Sequence, residues 1–439
     1  VSLGGSGVAS LAAGSPMLFC LMPAAVSLVC KAPSRPLPRP LAAAGDGEAS
    51  FTYDSVQRRL PLIIESVIDK NSYSETLQAD LRALAGEIAA GEPLKPLAAP
   101  SAEWEDALAP LLAAGDTWLS APWFVVENYL YKRMLELTDG PTGGADPFAA
   151  QKAESLDGAA AAFADMLSAG LTEGEVSLPS LVSTALWGNL ADLSLSAGAA
   201  LIAPTDASAG GGGAGDASKL ADAGGKMLAD ATGELCAALE AAGGEEVVVV
   251  LDNCGLELVS DLLLVDGLLR SASPPRRVTL HAKARPVFVS DVVEADLPPT
   301  LAWLEEQGGG PIAGRLRDAL ADGRLLVESP EFYTGPLPFW EMPDELHARL
   351  AEAVLVLTKG DANFRRLLGD LHWPHDTEFA DLMREYWPTS LAALRTCKSG
   401  VLVGVAPAVE AAAAAAEPEK WLTGGVYGMV SFAPKATSS

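Results

Sequence analysis

Cysteine and histidine are scarce in this chain: 439 residues contain five Cys and four His. Cys20, Cys30, Cys236, Cys254 and Cys397 form no Cys-x-x-Cys pair, which argues against a disulfide framework and makes a reducing compartment the default. With only His281, His347, His372 and His375 alongside them, a zinc centre is hard to build. His372 and His375 flank Trp373-Pro374 with no third soft ligand near, so they read as a structural loop. Positive charge is also short. Thirty Lys and Arg face 57 Asp and Glu, a net charge of -27, which excludes nucleic acid or an anionic membrane as the main partner. A small anion would need a local trap, either a metal or a few placed cations. Long apolar runs are missing as well: the one at 17–30 is broken by Pro23 and is too short to span a bilayer. The Gly-rich tract at 204–219 lacks a Gly-Lys-Ser/Thr ending, so it reads as a flexible loop rather than a phosphate cradle.

What is present is enough apolar sequence, 49% of residues, for a sizeable core in one large α/β unit or two to three domains. Residues 1–50 form an N-terminal extension: no acid precedes Asp46, Lys31, Arg35 and Arg39 are present, and Ala, Ser and Pro are abundant. That composition suits an organelle transit peptide, such as a plastid one, or a disordered tail; without targeting the location is cytoplasmic. Residues 51–178 read as a helical domain. Leu60, Leu62, Ile63, Ile64 and Val67 make one stripe, Leu77, Leu81, Leu84 and Ile88 another, and Pro122 opens a third helix through Arg133. Farther on, Asn189 and Asp192 would share one helix face, as a pocket wall or as caps.

From residue 179 to 433 the pattern changes to α/β alternation. Val247 to Leu251 are five apolar residues in a row, a strand buried on both faces, followed by Asp252-Asn253, a turn at Gly255 and a helix from Leu256 to Arg270. Further strands are expected at 276–282, 286–292, 324–328, 353–361 and 398–405, with Ala411–Ala416 as helix or linker. Helices between most of them imply a largely parallel sheet. Acids close three of these runs: Asp252-Asn253, Asp291, and Gly360-Asp361-Ala362-Asn363. In open α/β sheets ligands sit beyond the carboxyl ends of strands, and carboxylates with an amide suit a hard cation such as Mg²⁺ or Mn²⁺. Single Asp residues there also serve as helix caps; several at one sheet edge favour a site. Arg365 and Lys398, downstream, are placed to neutralise phosphate. No Cys-x5-Arg loop follows Cys254 or Cys397, so neither reads as a phosphatase nucleophile.

Longer motifs carry a resemblance. Leu251-Asp252-Asn253-Cys254-Gly255-Leu256-Glu257, the run from Lys283 to Val292, the run from Leu186 to Ser194, the run from Lys359 to Asp370, and Arg395-Thr396-Cys397-Lys398 occur in this order, after Phe51–Ser55 and Arg59-Leu60-Pro61. Over residues 51–433 the chain is similar to the damage-control phosphatases of the domain-of-unknown-function-89 group, in the branch with a C-terminal Arg-Thr-x-Lys motif. The resemblance implies a three-layer α/β/α domain behind an N-terminal helical part. It also implies metal-dependent hydrolysis of small sugar phosphates such as fructose 1-phosphate and fructose 6-phosphate. Asp252, Asn253 and Asp291 would hold the metal: Mn²⁺ or Ni²⁺, with Co²⁺ or Mg²⁺ as alternatives. Asp252, Asn253, Asp291, Asp361, Ala362, Asn363, Phe364, Arg365 and Lys398 would contact substrate, with Asp252 and Lys398 catalytic. Asp252 serves as metal ligand or as nucleophile; both need a carboxylate within reach of phosphorus. Ala362 stands where the family more often has Leu, and Phe364 where it more often has Tyr, which bears on substrate preference. The rival activity is S-adenosylmethionine-dependent methylation of protein glutamates, which usually needs a Gly-rich turn after the first strand; here that turn holds one Gly.

Overall fold

The computed structural model describes residues 51–138, 144–171, 177–188, 226–418 and 420–436. The N-terminal extension, Asn189, Asp192 and the Gly-rich tract lie outside the described residues. In the helical part, short helical segments at Phe51–Asp54 and Ser55–Arg59 lead into α1 (Leu60–Lys70), which is followed by α2 (Glu75–Ala89), α3 (Ala102–Ala114) and α4 (Trp123–Thr138). Pro61 sits in the first turn of α1, and the Ser74 hydroxyl caps α2 by accepting from the Leu77 N–H at 3.2 Å. The expected stripes pack together: Ile63, Ile64 and Val67 of α1 meet Leu81, Leu84 and Ile88 of α2 and the aromatic face of α4, while Leu62 is half-buried. Two further helices, α5 (Ala149–Gly158) and α6 (Ala160–Ser168), pack instead on the core beside the sheet, through Leu156, Phe163 and Met166.

The sheet comprises β1 (Met227–Asp230), β2 (Glu246–Val250), β3 (Arg277–His281), β4 (Leu325–Glu328), β5 (Leu355–Lys359), β6 (Ser390–Thr396) and β7 (Gly428–Ala433). Their order is β1-β7-β6-β5-β2-β3-β4. The block from β6 to β4 is parallel; β7 runs antiparallel to β6, and β1 parallel to β7. Alternating residues feed two cores. Val247, Val249, Leu280 and Leu357 face a layer built from α7 (Leu178–Trp187), α8 (Thr232–Ala241), α9 (Leu256–Leu269), α10 (Leu297–Leu304) and α11 (Gly310–Asp322). Val248, Val250, Val356 and Ala393 face the other layer: α12 (Asp344–Ala351), α13 (Gly360–Leu367), α14 (Phe379–Met383) and α15 (Pro407–Ala416). This is the expected three-layer α/β/α arrangement.

Two expected strands are loops. Residues 286–292 turn through two successive left-handed residues, Phe288 (φ 50°) and Val289 (φ 67°), which no strand accommodates. Residues 398–405 leave the ladder because the buried Arg395 guanidinium donates to the loop carbonyls of Val401 (2.6 Å) and Ser399 (3.4 Å), giving them partners other than a neighbouring strand. The strand on that side of the sheet is β6, and its partner β7 carries no pattern that sequence reading picked out.

A half-buried charge cluster around the buried Glu246 ties α12 to the sheet. Arg349 Nη2 donates to Glu246 Oε1 (2.6 Å) and Glu328 Oε1 (2.9 Å), while Glu246 also accepts from Arg277 and Thr279. Burial works to raise the Glu246 carboxyl, but bonds from Arg277, Thr279 and Arg349 outweigh it and hold it at about 2, below its usual 4.5. The His281 contact, then Arg349 against the cost of burial, hold Glu328 at about 2 as well. Both groups are depressed on folding, so their contribution is present above about 4.5 and is lost as pH falls towards 2. Arg349→Leu should therefore lower stability by about 2 kcal/mol at neutral pH. The gap from the parent chain should close between about pH 4.5 and 2 in denaturant titrations. A gap that widens in acid would show the cluster is not the cause.

Candidate active site at the carboxyl edge of the sheet

β2 lies at the centre of the parallel block. The chain leaves β2 towards β3 on one side, and leaves β5 towards β6 on the other. The crevice at the carboxyl ends of β2 and β5 is thus the point where the winding direction reverses, the usual ligand position in such sheets. Asp252 and Asn253 follow β2; Gly360 and Asp361 follow β5. Gly360, at φ 79°, makes their approach possible. A β-carbon there would lie 1.7 Å from Asp252 Oδ2, so the carboxylate rests against a bare α-carbon. The turn after Asn253 relies on Gly255 (φ 74°), whose missing side chain leaves room for Ser155 of α5.

Asp291 arrives by a different route from the one its apolar run suggested. Its loop is zipped to the end of β2: the Val292 N–H donates to the Asp252 carbonyl (2.8 Å), the Cys254 N–H to the Ser290 carbonyl (2.7 Å), and Asn253 and Asp291 form an antiparallel bridge. The strained residues Phe288 and Val289 send their side chains into the helical core, where Phe288 meets Phe124 (ring centroids 6.0 Å apart) and Tyr131 (5.5 Å). The helical part therefore holds the loop that carries Asp291.

The Asn253 amide has a fixed orientation. Its Nδ2 donates to Asp252 Oδ2 (2.8 Å) and Glu257 Oε2 (2.9 Å), and its Oδ1 accepts from Ser290 Oγ (2.5 Å). Glu257 in turn accepts from Lys359 Nζ (2.8 Å), which also pairs with Asp261 (2.7 Å), all of them buried. Burial, opposed by Lys359 and assisted by Glu257, pushes the Asp261 carboxyl up to about 7. Lys283 is a second buried cation: its Nζ donates to the Leu251 carbonyl (2.8 Å) and lies 2.9 Å from Asp291 Oδ2.

On α13, Asp361 Oδ1 meets Arg395 Nη2 (2.8 Å), Ser399 Oγ (3.2 Å) and the Lys398 N–H (3.3 Å). The Arg-Thr-x-Lys motif is thus joined to the acidic turn after β5, and Lys398 is buried beside Gly425. Asn363 donates from Nδ2 to the carbonyls of Leu251 (3.1 Å) and Lys359 (2.8 Å), pinning the first turn of α13 to β2. Ala362 packs against the helical core. Phe364 points into the core, stacked on Phe379 and beneath the Arg395 guanidinium. Arg365 lies one turn beyond Asp361 on the same helix face.

Burial raises the Cys254 thiol well above its usual range and pushes Cys397 up to about 11, in keeping with neither being a nucleophile. His375 pairs with Glu410 at 3.0 Å in a loop, as expected. Sequence reading assigned no role to Lys283, Glu257, Asp261 or Lys359. Lys283, Glu257 and Lys359 stand in the quoted motifs, which was the available signal; Asp261 does not, and that it meets Lys359 is decided by β2 and β5 being neighbours.

The donor set fits a hard cation. Among the described residues no group of three or more His, Cys, Asp and Glu is arranged to hold a metal ion. Asp252, Asn253 and Asp291 offer two carboxylates and one amide, the oxygen-only partial shell that Mg²⁺-like ions complete with water and phosphate oxygens.

The sequence profile of the damage-control phosphatase ARMT1-like domain matches residues 55–412. Damage-control phosphatase ARMT1 of Mus musculus is 30% identical over 434 residues, covering 88% of this chain and 96% of the relative. The Danio rerio protein of that name is 28% identical over 444 residues, covering 88% and 95%. A solved structure of a DUF89 family protein from Pyrococcus horikoshii aligns with a TM-score of 0.41 at 15% identity, over 80% of this chain and 91% of that one, a likeness too remote to bear on the site. With the profile spanning every site motif from β2 to Lys398, this chain belongs to the damage-control phosphatase ARMT1-like domain family.

Proposed function

We propose that this chain is a metal-dependent phosphoric monoester hydrolase acting on small sugar phosphates such as fructose 1-phosphate and fructose 6-phosphate, in a metabolite damage-control role. The observation that carries the reading is the meeting of Asp252, Asn253 and Asp291 at the winding reversal, with Gly360 keeping the carboxylate's approach clear. The phosphatase names of the relatives agree with it. Asp252, Asn253 and Asp291 would hold Mn²⁺, Ni²⁺, Co²⁺ or Mg²⁺. The ion would supply polarisation of a phosphoryl oxygen and a more acidic water.

The remaining work belongs to the chain. Lys398 and Arg365 bind phosphate and offset charge that grows on its oxygens. Asp361, tied to Arg395 and the Lys398 backbone, fixes where Lys398 starts. Glu257 and Ser290 hold the Asn253 amide with its oxygen in one direction. The methyl-transfer alternative draws no support from the turn after β2, which presents Asp252 and Asn253.

Treatment with EDTA should abolish phosphate release from fructose 1-phosphate, and Mn²⁺, Co²⁺, Ni²⁺ or Mg²⁺ should restore it. The same titration should show metal binding to the stripped chain by calorimetry. Undiminished turnover in fully stripped protein would end the metal-dependent reading.

A further inference from the structure

Arg365 is held by more than its own helix. Its Nε donates to Asp370 Oδ1 at 2.6 Å. Its guanidinium lies 3.6 Å from the centre of the Trp123 ring, which belongs to α4 of the helical part. The residue is 3% exposed, and its Nη2 has no hydrogen-bond partner among the described residues. A buried guanidinium nitrogen left open is costly, unless a ligand completes it.

Both supports are built deliberately. After α13 the chain turns through Gly369 (φ 65°) and Asp370 (φ 56°), and the Asp370 N–H closes on the Arg365 carbonyl at 2.8 Å. That brings the Asp370 carboxylate back under Arg365. Trp123 is fixed through its Nε1, which donates to Ser55 Oγ at 3.1 Å; Ser55 also accepts from Arg59 at 3.1 and 3.0 Å, and Arg59 pairs with Glu127. The helical core thus contains a buried polar network in which Glu127 joins Arg59 to the Tyr131 hydroxyl (2.9 Å) and Ser55 joins Arg59 to the Trp123 indole.

We propose that Trp123 and Asp370 are positioning residues for phosphate. The indole face and the carboxylate hold the guanidinium plane so that Nη2 is presented to a phosphoryl oxygen. The helical part therefore completes the phosphate-binding site. This rests on the reading of Arg365 as a phosphate ligand. An aromatic face attracts a guanidinium most strongly where water is excluded, and a pre-oriented fork loses little freedom when it binds an anion.

The test is a double-mutant cycle on the full chain with two readouts: calorimetric affinity for inorganic phosphate, and kcat and KM for fructose 1-phosphate. Trp123→Leu removes the ring and should raise the phosphate Kd and the KM about tenfold. Trp123→Phe keeps a ring and the packing, and should raise both about threefold. In the Arg365→Ala background, Trp123→Phe should change neither, since the indole would act only through the guanidinium. Asp370→Asn, near-isosteric, should weaken phosphate in the same direction. A residue that only packs would lower melting temperature without moving Kd or KM. Equal effects of Trp123→Phe in both backgrounds, or an unchanged Kd in correctly melting Trp123→Leu or Trp123→Phe protein, would overturn the proposal. If the parent chain shows no turnover while the phosphate cycle remains coupled, the hydrolase reading fails and the clamp stands. Turnover with an additive cycle gives the reverse.

Discussion

Gly360→Ala should cut turnover of sugar phosphates by at least about a hundredfold, because displacements near 1 Å from reacting geometry cost that much. The added β-carbon would fall 1.7 Å from Asp252 Oδ2 and 2.1 Å from Asp252 Cγ. The carboxylate would have to leave the crevice or β5 would have to separate from β2, and both displace the proposed metal ligand. Strain at φ 79° adds about 1–2 kcal/mol of lost stability. Gly323→Ala separates the two effects. Gly323 has φ 80° but open space around it, so the same strain arises there without a collision. Gly323→Ala should lose stability by a similar amount and keep its kcat. Thermal melts and phosphate-release kinetics on both variants decide the matter: near-normal kcat in Gly360→Ala would remove Asp252 from the chemistry.

The second large effect separates metal binding from phosphate binding. Asp291→Ala should lose bound metal, because it removes one of two carboxylates. It also leaves the buried Lys283 ammonium without the partner 2.9 Å away, an arrangement that costs about 3–5 kcal/mol. Asp291→Asn keeps the shape and isolates the charge if the alanine variant fails to fold. Lys398→Ala should keep its metal and lose turnover by about a hundredfold, the worth of roughly 3 kcal/mol of transition-state charge stabilisation. Elemental analysis of metal content with steady-state kinetics distinguishes the two variants. If Lys398→Ala turns over every sugar phosphate tested within about threefold of the parent, an ordinary surface effect, Lys398 has no place in the site.

Local pattern determined a good deal of this protein. Five consecutive apolar residues from Val247 specified a strand buried on both faces, and Val247 and Val248 do feed opposite cores. The abrupt change to Asp252-Asn253 located the carboxyl edge, since a polar pair cannot continue into a packed layer. Spacing of three and four residues gave α1 and α2 their buried stripes. These features depend on a residue and its near neighbours, so a single sequence displays them. The ordered motifs then placed the chain among its relatives.

Tertiary structure decided the rest. Sequence gives no sign that β5 lies beside β2 rather than β4, yet that adjacency brings Gly360 to Asp252 and Lys359 to Glu257 and Asp261. An apolar run ending in Asp291 looks like a strand. Only the helical core, by burying Phe288 and Val289, makes two left-handed residues worth their strain and turns Asp291 back onto Asn253. Trp123 reads as packing in any sequence window; its contact with Arg365 spans 242 positions and leaves no periodic trace. Such pairings arise from chain closure over long separations, where the gain comes from burying charge and ring together after the layers have met, so they exist only in the folded molecule.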